Sequence, residues 1–180
     1  MLRTLAAAAA AAATTALLAV AASPAHAARI EIDDPKGDTP GGKRLDVVGV
    51  RIHNEDDRVV VRVAFAAERN GDLIVSIDPR GARGLRLVAE KRGEPGGDGT
   101  IDQYLVPGAF TDTTTGPSPV TCTSYRLRWN GDVARMVMPS DCLHDGDYGA
   151  IRVAVLTENG AGDSDYAPGD RGATRWIARG

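Results

Sequence analysis

The chain has 180 residues, 43% of them hydrophobic, and its 24 acidic side chains outweigh 21 basic ones for a net charge of −3. Without residues 1–27 it loses one arginine and no acid, leaving −4, and such a balance lacks the concentrated basic footprint of a nucleic-acid-binding protein. The remaining length of about 150 residues suffices to bury one core, and with aromatic residues at only 4% the burial falls to Val, Ile and Leu.

The chain opens with Arg3, an apolar run from Leu5 to Ala22, helix-breaking Ser23 and Pro24, and Ala25-His26-Ala27. These are the three parts of a secretory signal peptide, so residues 1–27 are expected to be removed and 28–180 to form one secreted domain. The rival reading, a membrane anchor, is disfavoured because alanine is weakly hydrophobic and the run barely reaches the length of a bilayer span. No membrane span is expected after cleavage.

Next come the weak strand candidate "RIEI" (29–32) and the stretch "DDPKGDTPGGKR", which is expected to be a surface loop from Asp33 to Arg44, its prolines and glycines denying it regular structure. In "RLDVVGVRI", Leu45 and Val47 set one phase and Val50 and Ile52 the other. A one-residue slip at Val48-Gly49 would restore a common inward face, as a bulge does. "RVVVRVAF" alternates cleanly, with Val59, Val61, Val63 and Phe65 on one face and Arg58 and Arg62 on the other. Further strands are predicted at 73–78, 85–90, 101–106, 125–129, 133–138 and 151–157, with a weaker one at "TRWIA" (174–178). Longer loops are predicted at 93–100, 111–121 and 159–172. About nine short strands separated by turn signals predict an all-β fold, an antiparallel β-sandwich, with a β-barrel as the alternative.

Asn130-Gly131 between two alternating runs signals a hairpin over 125–138. A two-residue loop sets Trp129 opposite Asp132 and Cys122 opposite Pro139; a three-residue loop sets Cys122 opposite Ser140. Either register leaves Cys142 two or three residues further on. Because Pro139 ends the ladder, the chain can bend through Ser140-Asp141. A structural disulfide Cys122–Cys142 is therefore expected just beyond the mouth of the hairpin, as suits an even cysteine count in an exported chain.

Enzymatic chemistry finds little support, and the protein is expected not to be an enzyme. His53 and His144 are the histidines of the mature part, and no G-x-S-x-G elbow, CxxC or HExxH occurs. Met136 and Met138 invite a haem reading beside these histidines, but their spacing on one strand face suits core packing. No cofactor is required.

Calcium is the candidate ion, since hard cations take clustered oxygen ligands from irregular loops. Three groups qualify by composition: Asp33, Asp34, Asp38 and Asp46; Asp141, Asp145 and Asp147; and Asp163, Asp165 and Asp170. None fits the helix–loop–helix calcium template, and Asp and Gly more commonly mark turns. Asp34, Asp38 and Asp46 rank first, provided that Asp34 and Asp38 converge with a third oxygen. Trp129 shares the inward phase of Tyr125 and Leu127, so loop-borne Tyr148 and Tyr166 are the ligand-platform candidates for a glycan or another small ligand.

The "DxxGD" opening, "LDVVGVRIHNEDDRVVVRVAF", "VMPSDCL" and the closing "SDYAPGDRGATRWIARG" resemble a group of uncharacterised secreted β-sandwich proteins of actinobacteria. More distantly, the acidic opening and its "D-[IV]-x-x-V-x-V" strand resemble DOMON domains and family-nine carbohydrate-binding modules. That resemblance implies a sandwich that binds sugar or haem, sometimes with structural calcium. Asp34, Gly37, Asp38 and Asp46 match the opening motif, whereas the aromatic sugar clamp and the axial haem ligands have no counterparts. The expected role is a secreted, non-enzymatic module whose partner is an extracellular glycan or a cell-envelope component. The alternative is a structural or protein-interaction domain of the envelope without a small-molecule site.

Overall fold

The computed structural model describes residues 28–38, 45–93, 99–112, 122–160, 162–169 and 172–180. The expected signal segment 1–27, the second half of the acidic loop (39–44), most of the two long loops (94–98 and 113–121) and Asp170 lie outside the described residues. Pleating sends successive side chains to opposite faces, and burial selects the apolar one. Among the described residues ten strands follow: β1 (Ala28–Asp33), β2 (Val47–Asn54), β3 (Arg58–Phe65), β4 (Gly71–Pro79), β5 (Leu85–Arg92), β6 (Thr100–Pro107), β7 (Arg126–Asn130), β8 (Val133–Pro139), β9 (Ile151–Glu158) and β10 (Ser164–Ala167).

They form two five-stranded antiparallel sheets, ordered β1-β2-β3-β8-β7 and β10-β9-β4-β5-β6. Neither closes on itself, so the fold is the expected sandwich and not the barrel. The chain lays down β1–β3, crosses to build β4–β6, and returns to set β8 beside β3. It then crosses again to set β9 beside β4. Two pairings between strands distant in sequence thus stitch the halves together. Val50, Ile52, Val59, Val61 and Val63 from one sheet meet Leu73, Val75, Ile77, Leu85 and Leu87 from the other in a shared core. Phe65 stacks on Trp129 at 5.1 Å between ring centroids, which seals the end of the core. Met136 and Met138 are both buried in the core, as packing residues.

The expected slip in β2 is present. Val47 pairs with Phe65 and Gly49 with Ala64, so Val48 is the extra residue of a bulge. The final segment differs from expectation. "TRWIA" contributes a single bridge, Ile177 to Ile151, because β9 is flanked by β4 on one side and β10 on the other. The edge position next to β9 goes instead to "SDYA", which is β10 and lies inside the expected 159–172 loop. The carboxy-terminal stretch packs across the end of the sandwich. Asn54, fully buried, donates from Nδ2 to the carbonyls of Gly149 and Ile177.

The β7–β8 hairpin has a register one to two residues beyond either expected one. Asn130 pairs with Val133, leaving Gly131-Asp132 as the two-residue loop. Gly131 takes φ +58 while Asp132 does not enter the left-handed region, which is the pattern of a hairpin turn with glycine first. β8 ends at Pro139, and short 3-10 turns at Ser140–Cys142 and His144–Gly146 follow. Cys142 is thereby folded back onto Cys122, with 4.8 Å between their Cα atoms, and the two form the disulfide.

Candidate metal centre

The opening acidic stretch sits where the edges of the two sheets meet. β1 ends at Asp33, and Asp34 turns inward at 9% exposure, its backbone N–H donating to the Val48 carbonyl at 3.3 Å. From the other sheet, β10 presents Asp165, buried at 5%. One oxygen of Asp165 accepts the amide of Val47 at 2.7 Å, tying the start of β2 to β10, and the other accepts the amide of Tyr166 at 2.8 Å. Asp38 reaches the same place from the exposed side. One carboxylate oxygen each from Asp34, Asp38 and Asp165 lies within 4.8 Å of the others. Two ligands on opposite sides of a calcium ion, each about 2.4 Å from it, stand about 4.8 Å apart, so the three fit around one ion.

Asp46 does not lie within that close group. Both of its oxygens accept the amide of Gly37, at 3.1 and 2.9 Å, which clamps the turn carrying Asp34 and Asp38. Spacing along the chain favoured Asp46; the sandwich brings Asp165 across from a strand that reads as loop. Asp165 was legible as one of an acidic group, but its neighbour in space was not. The segment leading into Asp46 is held tightly. Leu45 is buried at φ +54, unusual for a side chain with a Cβ, and its carbonyl accepts the hydroxyl of Thr157 at 2.8 Å. Gly71 makes room for it, since a Cβ there would stand 2.3 Å from the Leu45 side chain.

The electrostatics of this corner are unfavourable as it stands. Burial, then the charges of Asp165, Asp38 and Asp46, push the Asp34 carboxyl up to about 7. Burial also raises Asp165, although the amides of Val47 and Tyr166 oppose the rise. Among the described residues no basic side chain pairs with Asp34, Asp38 or Asp165. Asp34 Oδ2 is buried with no hydrogen-bond partner. A buried carboxylate oxygen in that position lacks a positive partner.

The remaining candidates lie elsewhere. Asp141, Asp145 and Asp147 do not assemble: among the described residues the Asp34, Asp38 and Asp165 group is the one close enough to share an ion, and Asp170 of the third group lies outside the described residues. Asp145 stands on a tight turn at φ +53, and Asp163 bonds Asn159. Tyr148 is buried at 9% with the Arg179 guanidinium 4.4 Å over its ring, so it offers no exposed platform. Loop position suggested exposure; the packing of the carboxy-terminal segment covers it. Tyr166, half-buried on β10, lines the acidic cleft together with Pro35, Pro168 and Asp165. His144 is committed to the Arg83 carbonyl at 2.7 Å and His53 stands on the outer face of β2. No helix among the described residues is long and apolar enough to cross a membrane. No family model, no curated protein and no solved structure matches the chain.

Proposed function

We propose that this is a secreted, non-enzymatic β-sandwich module whose acidic corner takes up one calcium ion. The observation that carries this reading is the unpartnered, buried Oδ2 of Asp34, with Asp38 and Asp165 converging on it. Three carboxylates supply the hard oxygen ligands and the charge that calcium needs, and water and carbonyls complete the shell. The ion relieves the mutual repulsion of the acids and pins the turn after β1 to β10, so its role is to join the two sheets. Tyr166 at the rim of the same cleft is the residue that a glycan or other small ligand would meet there. The alternative, a structural or interaction domain of the cell envelope, draws support from the burial of Tyr148, which removes half of the expected sugar platform.

Calcium titration of the purified exported protein, followed by calorimetry and thermal unfolding, tests the reading. Binding at one site should raise the melting temperature, with about 2.7 kcal/mol gained at a hundredfold excess over Kd. Asp38→Asn, which removes an exposed ligand without disturbing the fold, should abolish most of that rise. An unchanged melting temperature across the titration would leave the cluster a turn and nothing more.

A further inference from the structure

The outward face of the first sheet carries a line of arginines that neither the core nor the acidic corner uses. Pairing sets Arg51 opposite Arg62, Arg62 opposite Arg135, and Arg135 opposite Arg128. Four arginines thus stand abreast on four neighbouring strands, each step about 4.8 Å. Arg126 extends the line on β7, two residues from Arg128. At the β1 end Glu31 lies opposite Arg51 and bonds it. Among the described residues Arg62, Arg126, Arg128 and Arg135 are all exposed and have no ion-pair partner.

Like charges directly opposite across a sheet destabilise it, and here three such contacts follow in succession. The chain is acidic overall, so a surplus of basic residues does not explain them. Two open depressions, of ≈ 560 and ≈ 230 Å³, adjoin Arg135 on either side. Val60, 8% exposed, and half-buried Val137 face each other between them, flanked by the guanidinium groups.

We propose that this face binds an acidic polysaccharide, a glycan polymer carrying carboxylate or sulfate groups at intervals. A guanidinium fork grips such oxyanions with two parallel hydrogen bonds. A row that crosses four strands suits a polymer lying across the sheet better than a single ion. Occupancy offsets the repulsion that the fold leaves uncompensated. A nucleic acid fits less well. The outward positions of these strands hold no Phe, Tyr or Trp on which bases could stack, since Phe65 and Trp129 are both turned into the core. This inference goes beyond the reading above, since it rests on a different face from the acidic corner.

Isothermal titration of the exported protein with polygalacturonate, dextran sulfate, neutral dextran and single-stranded DNA tests it. Binding to at least one acidic polysaccharide is expected, with none to neutral dextran and with affinity falling between about 50 and 200 mM salt. The polymer that binds distinguishes carboxylate from sulfate recognition. A combined Arg62→Ser, Arg128→Ser and Arg135→Ser variant should bind at least about tenfold more weakly. Its melting temperature should equal or exceed that of the natural protein, because repulsion has been removed; a merely structural role for these arginines would lower it. The Arg62→Lys, Arg128→Lys and Arg135→Lys variant should keep part of the affinity. Chelating calcium should leave polysaccharide binding unchanged, so failure here is separable from failure at the calcium site. No binding to either acidic polymer, undiminished binding by the serine variant, or tighter binding to DNA would overturn the proposal.

Discussion

Asp34 is the side chain on which the most physics converges. Its carboxyl titrates at about 7 in the folded protein against an ordinary 3.8, because burial and the neighbouring Asp165, Asp38 and Asp46 all oppose its charge. Between those two values the folded state binds more protons than the unfolded one, so stability falls as pH rises from about 4 to about 7 and levels off above. The calcium-free protein should therefore show a melting temperature that drops across this window, and saturating calcium should flatten the drop. Asp34→Asn should remove much of the pH dependence and stabilise the calcium-free protein at pH 8, while losing the response to calcium. Thermal unfolding against pH, with and without the ion, checks all three outcomes. A drop in the stability of Asp34→Asn at pH 8 would mean that the carboxylate is already compensated. Lys91 shows the opposite economy: it is buried with its ammonium 2.9 Å from Glu68, and it sits over the Trp129 ring. Glu68→Gln should cost more than an ordinary surface substitution, because a buried ammonium loses its counter-charge.

At the level of elements, the hairpin and its clip carry the sharpest tests. Cys122 and Cys142 are 20 residues apart, and closing a ring of that size removes unfolded-state freedom equivalent to about 3 kcal/mol. Cys122→Ser with Cys142→Ser should lower stability by about that amount, read from denaturant midpoints, and treating the natural protein with a thiol reductant should raise its mass by two hydrogen atoms, one on each sulfur. Gly71, the first residue of β4, is a second element-scale point. A Cβ there would stand 2.6 Å from the Glu158 carbonyl as well as against Leu45. Gly71→Ala should destabilise by about 1–3 kcal/mol, as overpacking does, and by displacing Leu45 it should also weaken calcium uptake at the neighbouring corner.

Across the whole molecule, one core joins the two sheets, and β3–β8 and β4–β9 pair strands far apart in sequence. Unfolding should therefore be a single cooperative transition, with coincident loss of secondary structure and of Trp129 fluorescence. Ile77→Ala, at a fully buried position of the central strand β4, should cost about 2–5 kcal/mol and lower the midpoint for both probes together. Two separated transitions would show that the sheets fold apart.

Alternation in "RVVVRVAF" and its fellow runs determined the strands, their inward faces and the sandwich, because period-two burial is a property of local sequence. It also placed the bulge at Val48-Gly49 and the disulfide beyond the hairpin, since breaks of phase and ring closure are likewise local. The exact hairpin register was not legible, because either Asn130-Gly131 or Gly131-Asp132 satisfies a two-residue turn and the pairing of β8 with β3 selects between them. "SDYA" read as loop, since four residues beside Gly and Pro carry too little alternation, yet the free edge of β9 makes them a strand. Tertiary structure alone therefore decided that Asp165 and not Asp46 joins Asp34 and Asp38, and that arginines from β2, β3, β7 and β8 align. Both are contacts between segments that only the stacking and registration of strands bring together, and no spacing along the chain encodes them.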